Sequence, residues 1–410
     1  MDSLLGLLLL LILLQGLSGA IDGITYWLYV RDHLRKPQDL WTPPASVIVP
    51  CKGLDYELKE NLEAVLFQDY PSYEVIFVTA SANDPSTAVL HSLLAENPKP
   101  RITLIVAGVS DQRGEKVNNL MQAVERVSSD SVVLAFTDSD SRPGRNWLRN
   151  LVSPLKNEKI GACTGYRWFF PVSRNFATLL RVVWNGSIAT LLRDHNHNFA
   201  WGGSMAIRRS TFERIGVLRY WENSISDDYS LTRALRDAQL KVEYEPRCLI
   251  ASHGECVWRE LLEWSTRQIV ITKIYSRSLW QLALASQFPF VIGWWWGIGR
   301  LVQHSLHLLN KRGGPWHFAD TSGQLALVMA LIYFFSIVRG LSRLKAVNLI
   351  FSEQKDVINR DWWCHVFLGP LVSTLTAYDL LASLLTSTLK WRGVWYEVKS
   401  PAEVRVLKKS

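Results

Sequence analysis

From Leu4 to Ile21 the chain reads LLGLLLLLILLQGLSGAI, 18 residues without a charge. Roughly 18 or more such residues are what a helix needs to cross the hydrocarbon core of a bilayer, so a membrane anchor is expected over residues 1–30. A cleaved signal peptide is the rival reading, because Ser18, Gly19 and Ala20 are small. Against it, Asp2 is the only charge ahead of the run, where a signal carries Lys or Arg. Arg31, Arg35 and Lys36 follow the run and place the next region on the cytoplasmic side. Apolar stretches return after Arg277, from Gln324 and from His365, so about three more crossings are expected within a membrane region at 276–390. The net charge of +8 and the 18 tryptophans, among them Trp294, Trp295, Trp296, Trp362 and Trp363, suit a chain that meets anionic lipid heads. Pro289, Gly293 and Gly297 favour an interrupted, re-entrant helix in the first of those stretches. Arg339, Arg343 and Lys345, interleaved with Leu341, Leu344, Val347 and Leu349, form a basic amphipathic stretch that suits an interfacial helix or extends the preceding one. The basic tail, 391–410, reads as a cytoplasmic β segment. Four crossings would put it on the far side, so one apolar stretch is expected not to cross.

Between the membrane segments, residues 42–275 follow another pattern. Apolar runs at 46–50, 74–79, 102–106 and 132–137 alternate with helical spacings such as Leu58, Leu62, Val65, Leu66 and Val117, Leu120, Met121, Val124, Val127. This predicts a doubly wound α/β sheet of largely buried parallel strands. Ligands of such sheets sit beyond the carboxyl ends of the strands. Pro50, Cys51, Lys52 and Gly53 follow the first strand, the segment Thr79 to Asp84 the second, and Asp138-Ser139-Asp140-Ser141 the fourth. An Asp-x-Asp pair can hold a divalent metal against a diphosphate, because hard oxygen ligands suit magnesium or manganese. The same residues also build strand-exit turns. Asp227 and Asp228 open a predicted helix, where they either cap it or supply a general base.

Other chemistries find little support. The five cysteines form no C-x-x-C pair, which argues against a disulfide framework or a structural zinc. His195 and His197 lack a nearby third ligand and read as a polar loop beside the acceptor opening, and His253 has no assignment. No Gly-rich phosphate loop and no aromatic RNA-binding strand is present, so neither a kinase or dehydrogenase nor a nucleic-acid partner is expected.

The order SVIVPCKG, Asp84, KVNNL, DSDS, AWGGSMAIRRS and SDDYSLTRAL resembles a family 2 glycosyltransferase of GT-A type, over about residues 42–275. KVNNLMQA, the N-terminal anchor and the C-terminal apolar helices look most like the ceramide glucosyltransferases and their bacterial lipid-glycosylating relatives, with weaker similarity in the tail at WRGVWYEV. The resemblance implies a membrane-bound inverting hexosyltransferase acting from the cytoplasmic side. Its partners would be a UDP-sugar donor, a lipid acceptor and the bilayer, and its cofactor Mn2+ or Mg2+. Asp84 would contact the uracil or ribose, with Pro50, Cys51, Lys52, Lys116, Asn118, Asp138 and Ser139 on the same nucleotide-sugar side. Asp140 would bind the metal with Asp138, Asp228 would be the base beside Asp227, and Gly202, Gly203, Arg267 and Gln268 would serve the acceptor or diphosphate. One motif departs: the family's Gln or Arg, two variable residues and Arg-Trp appear here as Arg267-Gln268-Ile269-Val270-Ile271-Thr272-Lys273, without the Arg-Trp. Lys273 or Arg277 could supply the lost charge. A processive polysaccharide synthase and an inactive nucleotide-sugar-binding membrane protein are the rival readings.

Overall fold

The computed structural model describes residues 3–96, 101–194, 196–311 and 321–409. The chain opens with helix α1 (Ser3–Arg35). A sheet-building region follows: β1 (Ala45–Pro50), α2 (Leu58–Leu66), β2 (Tyr73–Thr79), α3 (Ser86–Glu96), β3 (Arg101–Val106), α4 (Glu115–Val124), β4 (Val133–Thr137), α5 (Trp147–Val152), β5 (Ile160–Pro171), α6 (Phe176–Ala189), β6 (Ser204–Arg208), α7 (Arg209–Arg214), α8 (Val217–Trp221), α9 (Asp227–Asp237) and β7 (Lys241–Gly254). Then come α10 (Trp258–Tyr275), α11 (Arg277–Lys311), α12 (Thr321–Ile350), α13 (Lys355–Arg360), α14 (Trp362–Phe367) and α15 (Gly369–Leu385), and last β8 (Thr388–Trp391), β9 (Val394–Ser400) and β10 (Glu403–Lys409).

Seven strands form one sheet in the order β3-β2-β1-β4-β6-β5-β7. The first four lie parallel as expected. The sheet as a whole is mixed rather than parallel, because β6 runs antiparallel to both β4 and β5. The register gives the reason: β6 begins at Ser204 opposite Thr137, the last residue of β4, so the chain must run back along it. That reversal sets Gly203 beside the end of β4, where its carbonyl accepts from Thr137 Oγ1 at 2.9 Å. Alternate residues of the strands feed two cores. Val47, Val49, Val75 and Phe77 pack toward α2, α3 and α5. Ile48, Ile76, Leu134 and Phe136 pack toward α4 and α9. Each such fully buried side chain contributes about 1.5–3 kcal/mol. β3 is more exposed than expected because it is the sheet edge.

Among the described residues, α1 and α12 are the helices long and apolar enough to cross a membrane. They pack closely because α1 presents glycines: a Cβ on Gly23 would lie 3.0 Å from Cα of Arg339. Helix α11 continues through Pro289 without the expected interruption. Its glycines serve contact instead, Gly293 against Leu8 and Gly297 against Met329. Residues 339–349 extend α12 rather than forming a separate interfacial helix, and Leu344 and Val347 bury themselves beside Tyr26 and Tyr166. The apolar helix α15 has 17 residues. The tail is a three-stranded antiparallel sheet whose Leu389, Val394, Tyr396 and Val398 pack on Ile225, Val270 and Ile271.

Candidate active site

A cavity of roughly 1520 Å³ opens at the carboxyl ends of β1 and β4 and continues to α1, α11, α12 and α15. Pro50, Cys51, Lys52, Lys116, Asp138, Ser139, Asp140, Asp227, Asp228, Arg267 and Gln268 lie on its wall. Asp84, Asn118, Gly202 and Gly203 do not line it. Oδ1 of Asp84 accepts hydrogen bonds from Gly53 N (2.8 Å) and from Ser86 N (2.9 Å) and Oγ (2.6 Å), so Asp84 ties the loop after β1 to the start of α3. Asn118 turns inward and donates to the Gly108 carbonyl at 3.1 Å, whereas Asn119 faces the cavity.

Charge in the cavity is arranged around two cations. Lys116 Nζ lies 2.7 Å from Asp138 Oδ1 and 3.1 Å from Asp227 Oδ2. Burial alone would lower the Lys116 pKa, but Asp138, Asp227 and Asp228 outweigh it and hold the ammonium above its ordinary value. Asp227, 1% exposed, is pushed by burial up to about 6, with Lys116 opposing and Asp228 adding to the rise. For Asp138 burial is outweighed by Lys116 and Arg167, which hold the carboxyl below its usual range. Arg167 makes a two-pronged pair with Asp140, 3.2 Å at each prong, and reaches Asp138 Oδ2 at 3.3 Å. Phe169 and Trp201 flank its guanidinium at 5.1 and 5.0 Å.

Asp228 differs from its neighbour. Its Oδ1 accepts from Tyr229 N at 2.7 Å and from the Ser226 hydroxyl, while its Oδ2, among the described residues, accepts a single longer bond from Gly202 N at 3.3 Å; the residue lines the cavity. Ser226 is the N-cap of α9, so capping and carboxylate presentation occur together. Gly202 is required here for close approach, since a Cβ would lie 2.7 Å from Lys116 Nζ and against the Asp227 carboxylate. Gly202→Ala is therefore expected to displace the Lys116–Asp227 pair and destabilise the fold by about 1–3 kcal/mol, read as a lowered melting temperature together with lost turnover.

The structure adds residues that motif reading did not single out. Asp55 accepts from Ser139 Oγ at 2.6 Å and pairs with Arg392 Nη2 at 2.9 Å. Arg392, between β8 and β9, also donates to the Lys52 carbonyl at 2.7 Å. Burial would lower its pKa, but Asp55 and Asp140 raise it. Its neighbour Trp391 lies under Arg267 at 5.3 Å, and burial lowers the Arg267 pKa to about 10. Tryptophan and arginine thus reach the site from the tail. Lys273 instead bonds the Ser383 and Thr386 carbonyls, and Arg277 does not reach the cavity wall. The likeness of WRGVWYEV to the family's tail was the available sequence signal. His197 lies on the wall, His253 lines it while stacking on Phe170 at 5.4 Å, and His195 falls outside the described residues.

Among the described residues no three His, Cys, Asp or Glu side chains gather as metal ligands. The pair that could share a divalent cation with a bound diphosphate is Asp138 and Asp140. Three of their four oxygens converge on one guanidinium, which shows that the pocket is shaped for positive charge. Hard carboxylate donors with further oxygens supplied by phosphate fit magnesium or manganese.

The sequence matches the profile of Glycosyl transferase family 21 over residues 10–404. Ceramide glucosyltransferase 1 of Caenorhabditis elegans is 25% identical over 218 residues, 52% of this chain and 46% of that protein. Ceramide glucosyltransferase 3 of the same organism is 32% identical over 103 residues, 25% of this chain and 22% of that one. The chain therefore aligns with less than half the length of these relatives. Among solved structures, the mannosyltransferase PcManGT from Pyrobaculum calidifontis, in complex with GDP-Man and Mn2+, aligns at 15% identity and a TM-score of 0.48, covering 92% of this chain and 98% of that one.

Proposed function

The chain belongs to glycosyl transferase family 21, and from that premise we propose that it transfers a hexose, glucose first, from a UDP-sugar to a hydroxyl of a membrane lipid, with inversion. The observation that carries this reading is the single cavity that joins the aspartates to the apolar helices, lined at one end by Asp138, Asp140 and Asp228 and at the other by residues such as Phe290, Ile332 and Phe335. A soluble donor can enter from one end and a bilayer lipid from the other.

In the proposed reaction the donor diphosphate lies against Lys52, Arg392 and Arg267. Asp228 Oδ2 takes the proton of the lipid hydroxyl as that oxygen bonds to the anomeric carbon and the bond to UDP breaks. Asp227 keeps Lys116 in place through their 3.1 Å ion pair. Asp138 and Asp140 would hold Mg2+ or Mn2+, whose chemistry is to offset charge on the departing diphosphate; Arg167 would then turn from Asp140. Residues 42–275 and the tail 391–410 together form the catalytic unit, with α1 as anchor. We take α11 and α12 as a membrane hairpin, α11 crossing by its 35-residue length and its packing on α1 although it is less apolar than α1 and α12, so that three crossings leave the tail on the catalytic side. Helix α15 is the apolar stretch that does not cross, because it is tied to the catalytic side through Asp379, which accepts from Ser265 at 3.0 Å and Thr266 at 2.8 Å.

The reading is tested with detergent-purified protein, UDP-glucose and manganese. UDP release should require added lipid. Release that is unchanged by every lipid in a panel of ceramide, diacylglycerol and anionic lipids would remove its basis.

A pH effect follows from the raised Asp227. As pH falls through about 6 its carboxylate takes up a proton and Lys116 loses one of two anionic partners, so kcat should decline there. The folded chain holds this proton more tightly than the unfolded one. Asp227 therefore costs stability as pH rises through about 6, and has no such effect below roughly pH 4. Asp227→Asn should lower kcat at neutral pH and lose that acid limb; a limb that persists in the variant assigns it to another group.

A further inference from the structure

Most cations at the nucleotide-sugar end of the cavity are paired with carboxylates: Lys52 with Glu115, Lys116 with Asp138 and Asp227, Arg167 with Asp138 and Asp140, and Arg392 with Asp55; Arg267, held over the Trp391 ring and donating to the Lys390 carbonyl, is the exception. Deeper along the wall the pattern changes. Arg181, Arg339 and Arg343 line the same cavity, and among the described residues none forms an ion pair; Asp22, the acid that acts on Arg339, is itself paired with Arg193 at 2.9 Å. The Nε of each is buried without a hydrogen-bond partner. Arg343 is 3% exposed, and among the described residues its hydrogen bonds are long ones from Nη2 to His365 Nδ1 (3.4 Å) and the His365 carbonyl (3.5 Å). Arg339 reaches the Thr190 hydroxyl at 3.4 Å.

Contacts place the three along α6. Arg181 belongs to that helix and lies 4.5 Å from the Phe169 ring, which Arg167 also covers. Arg343 stands next to Gly186, and Arg339 next to Thr190 and Gly19 of α1. At 1.5 Å per residue this is a row about 13 Å long, from the donor end to the membrane helices. Arg339 and Arg343 are one turn apart on α12 and repel each other. Buried guanidinium groups without an anion are costly, whereas a phosphate matches their fork-shaped donors two at a time.

We propose that this row binds the anionic headgroup of the acceptor lipid, a phosphate ester, and orients its hydroxyl toward Asp228. The inference rests on the cavity's apolar end being the lipid side. It selects a phosphate-bearing lipid over an uncharged one such as ceramide.

The test uses the full chain in dodecyl maltoside micelles with fluorescent phosphatidic acid and the diacylglycerol of identical chains, which differ only in the phosphate. Phosphatidic acid should bind roughly tenfold more tightly or better, as one or two charge-assisted bonds imply. Arg343→Gln and Arg339→Gln should each bring the preference close to parity, with UDP binding unchanged as the check on folding, and Arg343→Lys should retain part of it. Equal binding of the two lipids to the unmodified chain overturns the proposal whatever the variants do, and so does a preference that survives both Gln substitutions. Displacement of phosphatidic acid by millimolar inorganic phosphate, with no discrimination between the two, would assign the row to free phosphate and overturn the lipid assignment. Efficient glycosylation of ceramide with a KM unaffected by Arg343→Gln would defeat this inference and leave the transferase reading intact. A strong phosphatidic acid preference without transfer to any lipid would do the reverse.

Discussion

Asp228→Asn is expected to lower lipid-dependent turnover by about a thousandfold, the range that a positioned general base contributes. The substitution keeps the shape of the side chain. Its amide can still accept from Tyr229 N through the retained oxygen, so α9 keeps its N-terminus. What is lost is the anionic Oδ2, which among the described residues accepts a single 3.3 Å bond from Gly202 N. Binding of UDP-glucose should stay within a few-fold of the original, because the contacts expected for the donor come from other elements. A variant that loses donor binding and turnover in parallel would show Asp228 to be a binding group instead.

Arg392→Ala should have the second largest effect, about a hundredfold on kcat, comparable to removing one preorganised stabiliser of developing negative charge. The guanidinium joins three parts of the site: it pairs with Asp55, bonds the Lys52 carbonyl and sits beside Trp391, which stacks under Arg267. Its removal leaves Asp55 buried and without its cation, which should raise that carboxyl further and disturb Ser139 through the 2.6 Å bond between them. Arg392→Lys should restore only part of the rate, since an ammonium cannot serve Asp55 and the Lys52 carbonyl with the same fork. If Lys273→Ala proves as damaging as Arg392→Ala while the fold is intact, the tail has been given the wrong role.

Much of this site was legible in the sequence because it lies where strands end. Pro50 to Lys52, and Asp138 to Asp140, follow runs of buried β-branched and aromatic residues, and the rule that ligands lie beyond carboxyl ends brings them together without coordinates. Asp227 and Asp228 were legible for a similar reason, as acids at the start of an amphipathic helix. What escaped was long-range. Arg392 is 337 residues after Asp55 in the chain, and no local period links them. Arg167 sits within β5, whose Trp-Phe-Phe continuation reads as core, although its guanidinium turns to the aspartates. The antiparallel β6 was missed because direction within a sheet is set by where the chain enters, not by the alternation of its side chains. The glycines of α11 look the same to sequence reading whether they break a helix or let another approach, and the neighbours Leu8 and Met329 decide the matter.

The most direct measurement follows the sugar itself. The purified full chain would be incubated in native-like lipid with UDP-glucose labelled isotopically in the glucose, and the products separated into lipid-extractable, polymeric and free sugar fractions for mass spectrometry. Label is expected in a monohexosylated lipid and is expected to be absent with Asp228→Asn. Label recovered mainly as polymer, or only as free glucose, would contradict it.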